Sequence, residues 1–201
     1  RLYGIDLNLV YREAPIRIDN NLFGLIDARG VTAHIGNDEL LAFNIRNFLG
    51  IRVGSVNSNI KDTLENDKNS FWQYNNGIVC LCTDSSPVDN DTSRVRFSDF
   101  TIVNGAQTIS TTAKFLEDNP AEQDEPIWVV SKIIRVDAND LEMAIKLTVS
   151  SNTQNSVSNK DLRAVDRVHV TLRDWFQDIG VTYIYRRGDR ANAGEDVVQM
   201  K

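Results

Sequence analysis

Four short words rich in carboxamides carry the side chains best suited to chemistry: NSNI at 57–60, YNNGI at 74–78, VNGAQT at 103–108 and SSNTQNSVS at 150–158. A carboxamide donates and accepts hydrogen bonds without carrying charge, so these words suit neutral polar recognition or buried networks. Asn is in excess, at 20 of the 201 residues, and its clustering goes beyond the ordinary use of Asn in turns and caps. In VNGAQT, the apolar run FTIV stops at Asn104-Gly105, and a helix-like segment begins at once. Gln107 and Thr108 then fall in the first helical turn, where free N–H groups and the positive helix end favour an anion such as phosphate. Gly105 permits close approach to the backbone. The plainer reading is an Asn N-cap followed by a glycine turn, which needs no ligand.

YNNGI sets Tyr74, a stacking face, beside Asn75 and Asn76; its plainer reading is a hairpin turn. SSNTQNSVS joins two helical stretches and carries Asn152, Gln154 and Asn155. Brought onto one face, the three words YNNGI, VNGAQT and SSNTQNSVS would make a polar pocket for a base, a ribose or a phosphate. Arg46 and Arg163 are the candidate cations, and Arg46 has a rival role as a solvated helix residue. Other chemistry is not visible. His34 and His169 lack a second ligand at metal-site spacing, and there is no GxxxxGK[ST], GxGxxG or GxSxG. Asp137, Asp140 and Glu142 are better read as a helix start than as a nuclease centre.

Elements must position these side chains. Weak alternation over 1–35 predicts strands. Leu40, Leu41, Ile45, Phe48 and Leu49 predict a helix from Asp38 closed by Gly50, and Ile60 and Leu64 a second over 57–64. IVCLC is a strand entered from an Asn-Asn-Gly turn, SSPVDNDTSR a loop by composition, and VRFSDFTIV a strand leading into Asn104. Ile109, Ala113 and Leu116 predict a helix that ends before Pro120. PIWVVSKIIRV is a strand, and Leu141, Ala144, Ile145 and Val149 predict another helix. The longest apolar stripe runs from Leu162 to Ile179, opened by a Ser158–Asp161 capping box and stopped by Gly180, and VTYIYRR is a last strand. Helices and strands alternate loosely, so the fold class is α/β or α+β, a mixed sheet flanked by helices.

Composition sets the bounds. With 41% hydrophobic and 25% charged residues the chain is of ordinary globular type, long enough to bury a core without staples. A net charge of −6 and a pI near 5.0 argue against a strongly basic nucleic-acid binder, while leaving room for a local positive groove. No apolar run is long enough to span a membrane. Cys80 and Cys82, two apart, share one strand face as packed free thiols, which fits a reducing, cytoplasmic compartment. The chain begins at Arg1 and ends at Lys201 without a clear stop, the expectation being a piece of something longer.

The ordered words FNIRNFLG, VNSNI, FWQYNNGI, VNGAQT, NTQNSVSNKDLRA and YIYRRG resemble the AIPR family, the abortive infection phage resistance proteins often encoded beside restriction–modification genes. The resemblance runs from about Leu40 to Gly188. It implies an N-terminal strand-rich segment over 1–36, an AIPR-like core over 37–190, and a tail over 191–201 leading to a further C-terminal region. A more distant similarity joins VNGAQT to the DGQ-type motif of ParB/sulfiredoxin-like domains, whose loop contacts nucleotide phosphates and in some members supports NTP hydrolysis; it implies a ParB/sulfiredoxin-like core. Here Asn104 stands where an Asp is usual, and Thr108 stands near the position of an Arg or His. The first change loses a carboxylate that could serve as base or metal ligand, the second a phosphate-pairing cation. The resemblance thus implies an antiviral protein that binds a nucleotide or nucleic acid as sensor or regulator, with a nucleoside triphosphate and Mg2+ as candidate ligand and restriction–modification proteins as candidate partners. The alternatives are a metal-dependent nuclease or NTPase effector, and a protein-interaction scaffold.

Overall fold

Strict alternation starts the chain: β1, Ile5–Val10, buries Ile5, Leu7 and Leu9 and exposes Asp6, Asn8 and Val10. This period-two pattern belongs to a sheet with one covered face. The structure, a computed structural model, describes residues 2–44, 56–152, 167–184 and 196–199. After β1 come β2 (Ile16–Ile18), β3 (Asn21–Asp27) and a single helical turn, α1 (Arg29–Thr32). Then follow α2 (Val56–Asn66), α3 (Phe71–Tyr74), β4 (Ile78–Cys82), β5 (Asp84–Val88) and β6 (Asp91–Asn104). The remainder is α4 (Ala106–Asp118), β7 (Trp128–Arg135), α5 (Leu141–Asn152), α6 (Arg167–Asp178), β8 (Val181–Ile184) and β9 (Asp196–Gln199).

Seven strands form one mixed sheet in the order β1-β6-β4-β7-β3-β2, with β5 also on β6. Only the β4–β7 pair in it is parallel. The end of β1 also meets β3 through a Tyr11–Ile26 bridge and an Arg12 N–H donating to the Leu25 carbonyl at 2.9 Å. The sheet therefore curls until its first strand touches its fifth. The fold is α+β, a mixed sheet flanked by helices.

Alternation along β4 divides the core between two faces. Ile78, Cys80 and Cys82 join Ile60 and Leu64 of α2 and Ile109, Phe115 and Leu116 of α4. Leu81 faces the other way, with Val103 of β6 and Ala144 of α5. Both cysteines are buried and free on the same side of the strand, as their spacing requires. Burial pushes the Cys80 thiol well above its usual value and the Cys82 thiol up to about 12.

Four expectations change. SSPVDNDTSR is not a loop: β5 and the start of β6 form a hairpin whose two turn residues, Asp89 and Asn90, have φ of 52° and 61°. Two consecutive left-handed residues give the turn whose twist matches a hairpin, and Pro87 is tolerated because β5 pairs on one side only. The Asn-Asn-Gly word is not a hairpin turn, because α3 precedes it and β4 follows. The described part of the helix expected from Asp38 is a 3-10 turn, Asp38–Leu41, with the Asn37 side chain accepting from the Glu39 N–H; the rest lies outside the described residues. The stretch expected as a tail contains β9, which runs parallel to β8. Elsewhere α2, α4, α5, β6 and β7 fall where periodicity predicts them. Gly180, at φ 76°, follows the α6 end as expected, whereas the Ser158–Asp161 box lies outside the described residues.

Candidate functional site

β6 runs antiparallel to β4, so the end of β6 and the start of β4 lie side by side, with Asn104 paired to Val79. Both carboxamide words at these ends contain a left-handed glycine, Gly77 at φ 75° and Gly105 at φ 87°. A side chain on Gly77 would run into the Val130 carbonyl of β7, and one on Gly105 would lie 2.5 Å from the Gly77 carbonyl. The glycines thus let three backbone segments pack in register: β7 on Gly77, and Gly77 on the start of α4. On the side where a Cβ would stand, Gly105 packs against the protein's own chain at Gly77–Ile78.

Around this joint lies a cavity of about 750 Å³. Asn75, Asn76, Asn104, Gly105, Gln107, Thr108 and Asn152 all line it, together with Asn44, Asn59 and Tyr74. The words NSNI, YNNGI, VNGAQT and the first residues of SSNTQNSVS therefore meet at one place. Gln154, Asn155, Arg46 and Arg163 lie outside the described residues.

Several of these amides are held within the fold. The Asn75 Oδ1 accepts from the Gly77 N–H at 2.9 Å and from the Thr108 hydroxyl at 3.1 Å, tying the α3–β4 turn to the first turn of α4. The Asn104 Nδ2 donates to the Ser151 carbonyl. In return, the Asn152 Nδ2 donates to the Val103 carbonyl at 2.9 Å and to the Thr148 carbonyl at 2.7 Å. This reciprocal clasp joins the end of β6 to the end of α5 and satisfies a carbonyl that a helix terminus leaves orphaned. Asn104 is not the N-cap of α4. Gly105 holds that position with no side-chain cap, and Ala106, Gln107 and Thr108 of the first turn line the cavity.

The lining is neutral. Among its described residues there is no Lys, Arg, His, Asp or Glu, and seven of the eighteen are carboxamides. The side chains of Asn76 and Gln107 have no hydrogen-bond partner among the described residues, and Tyr74 is 69% exposed at the rim. Sequence reasoning left out Asn44, Asn59, Ser150 and Ser151. The signal for Asn59 is the NSNI word itself, because a helix over it turns one Asn toward whatever Ile60 packs beside. Among the described residues no group of three or more His, Cys, Asp and Glu could hold a metal ion.

The model of the AIPR protein family matches residues 41–200. The chain belongs to the AIPR family. Neither the curated proteins nor the solved structures give a match. The matched span covers every cavity-lining element, from Asn44 to Asn152. The AIPR family points to abortive-infection phage defence, and no helix among the described residues is long and apolar enough to cross a membrane.

Proposed function

We propose that the core of this AIPR protein is a ligand-responsive sensor or regulator of phage defence that binds a nucleotide, free or within a nucleic acid, in the cavity between α2, α4 and the end of α5. The observation that carries this reading is the meeting of four sequence-distant carboxamide words around the uncapped first turn of α4. A volume of about 750 Å³ falls within the range of small-molecule and cofactor pockets. Gln107 and Asn76 supply side-chain hydrogen bonds, the α4 N–H groups face the negative portion of the ligand, and Tyr74 offers a flat surface at the rim. Asn75, Asn104 and Asn152 build the walls through the bonds described above.

A thermal-shift series with the common nucleoside triphosphates, with and without Mg2+, tests the proposal. At least one should raise the melting temperature in a dose-dependent way, and Gln107→Ala should reduce that rise without lowering the melting temperature of the free protein. A flat response to all of them overturns the reading.

A second reading rests on the Asn104–Ser151 and Asn152–Val103 clasp: the amides serve the fold, and the family role runs through a protein partner. Under it, Asn104→Ala lowers stability and Gln107→Ala changes nothing measurable.

A further inference from the structure

The orientation of two cavity amides is fixed by their backbone partners. The Gly77 N–H can only donate, so the Asn75 atom facing it is the oxygen, and the Asn75 Nδ2 is left as a donor. The Ser151 carbonyl can only accept, so the Asn104 atom facing it is the nitrogen, and the Asn104 Oδ1 is left as an acceptor. Neither leftover atom has a partner among the described residues, and neither is among the fully buried unpartnered atoms. The chain therefore presents one fixed donor from the α3–β4 turn and one fixed acceptor from the end of β6, on the lining of one cavity. Near them stands Tyr74, an aromatic ring 69% exposed that no packing requirement holds there.

Building on the proposed nucleotide reading, we infer that the cavity recognises the heterocyclic base, and that the ligand class is nucleosides regardless of how many phosphates they carry. A nucleobase edge carries donors and acceptors side by side, the complement of the Asn75 donor and the Asn104 acceptor, and its face stacks on a tyrosine. The described lining offers no charged side chain, so little of the affinity comes from charge pairing with phosphates. Asn75 and Asn104 would read the edge, Tyr74 would cover the face, and the fixed amide orientations would reject bases with the opposite pattern.

Isothermal titration of the chain with the four ribonucleosides, their triphosphates, ribose 5-phosphate and inorganic phosphate tests this. At least one nucleoside should bind within about fivefold of its triphosphate, with affinity nearly constant from about 50 to about 500 mM salt, because exposed charge pairs would be screened over that range. Ribose 5-phosphate and phosphate should give no heat of binding. Tyr74→Ala should weaken the nucleoside at least about tenfold and Tyr74→Phe less than about threefold, as base stacking on an aromatic ring requires. Asn75→Asp, which keeps the acceptor bonds of the turn but removes the donor, should weaken it with the melting temperature unchanged. Binding of triphosphates with silent nucleosides, or an indifferent Tyr74→Ala, overturns the base-reading inference and leaves the nucleotide site standing. Silence from every nucleoside and nucleotide removes both.

Discussion

The two Asn-Gly words, YNNGI and VNGAQT, look alike on paper and are built differently. In YNNGI the first Asn turns its oxygen onto a backbone N–H only two residues on, the Gly77 N–H, as Asn does in many turns. In VNGAQT the Asn turns its nitrogen away from its own turn, onto the Ser151 carbonyl 47 residues further along the chain. One amide acts as an acceptor for local geometry, the other as a donor for tertiary assembly. Two similar words, with Asn75 two residues before its glycine and Asn104 directly before its own, therefore say little about which end of the carboxamide matters. The partner decides, and for Asn104 the partner is remote.

The glycines give the largest expected effects. Gly77→Ala and Gly105→Ala each force a left-handed φ on a residue with Cβ and also drive that atom into backbone, whereas Gly180, at φ 76°, has open space around it. Gly180→Ala should cost about 1–2 kcal/mol, the ordinary penalty of the left-handed conformation. The two core glycines should cost several times that, or fail to fold, in urea melts. Equal midpoints for Gly77→Ala and Gly180→Ala would refute the packing account of the joint.

The two asparagines separate under substitution by Asp. Asn104→Asp replaces a donor with a carboxylate facing the carbonyl end of α5, and should cost about 1–3 kcal/mol, as losing the partner of a buried polar group does. Asn75→Asp keeps two acceptor bonds and places negative charge near the start of α4, so its stability should stay within about 0.5 kcal/mol of the parent or rise slightly. Chemical denaturation of both variants in parallel decides this. Similar losses in the two would erase the distinction between a local and a tertiary asparagine.

The buried thiols give a milder, pH-linked effect. Their folded pKa values are raised, so the folded state holds protons that the unfolded chain releases. Their contribution is intact below the usual thiol value near 9 and falls as pH rises from there toward about 12. Cys80→Ser with Cys82→Ser should flatten the alkaline part of a stability-versus-pH curve, and thiol-labelling reagents should react only as the chain opens. The smallest effect belongs to Gln107→Ala, within about 0.5 kcal/mol in stability, because a half-exposed side chain without a partner supports nothing else in the fold.

Much of the fold was legible because its signals are local. The β1 alternation, the α4 stripe from Ile109 to Leu116 and the apolar β7 follow from neighbours in the chain. The β5–β6 hairpin was missed because its strands are polar on the exposed face and its Asp89-Asn90 turn reads as loop composition. The β8–β9 pair was missed because a four-residue strand 12 residues from its partner carries too little pattern to stand out. For the cavity, the chain announced the side-chain types and the family, since carboxamide words and motif order are properties of the sequence itself.

The sequence by itself determined that this is an AIPR protein with neutral polar words at the ends of apolar elements. Only the tertiary structure decided which amide atoms are engaged, which glycine makes room for which strand, and that Asn59, Asn75, Asn104 and Asn152 share one cavity. The physical reason is that a carboxamide's role depends on whether a donor or an acceptor faces it. Such a partner, brought in from 47 or 49 residues away by strand pairing and helix packing, leaves no trace in the local spacing.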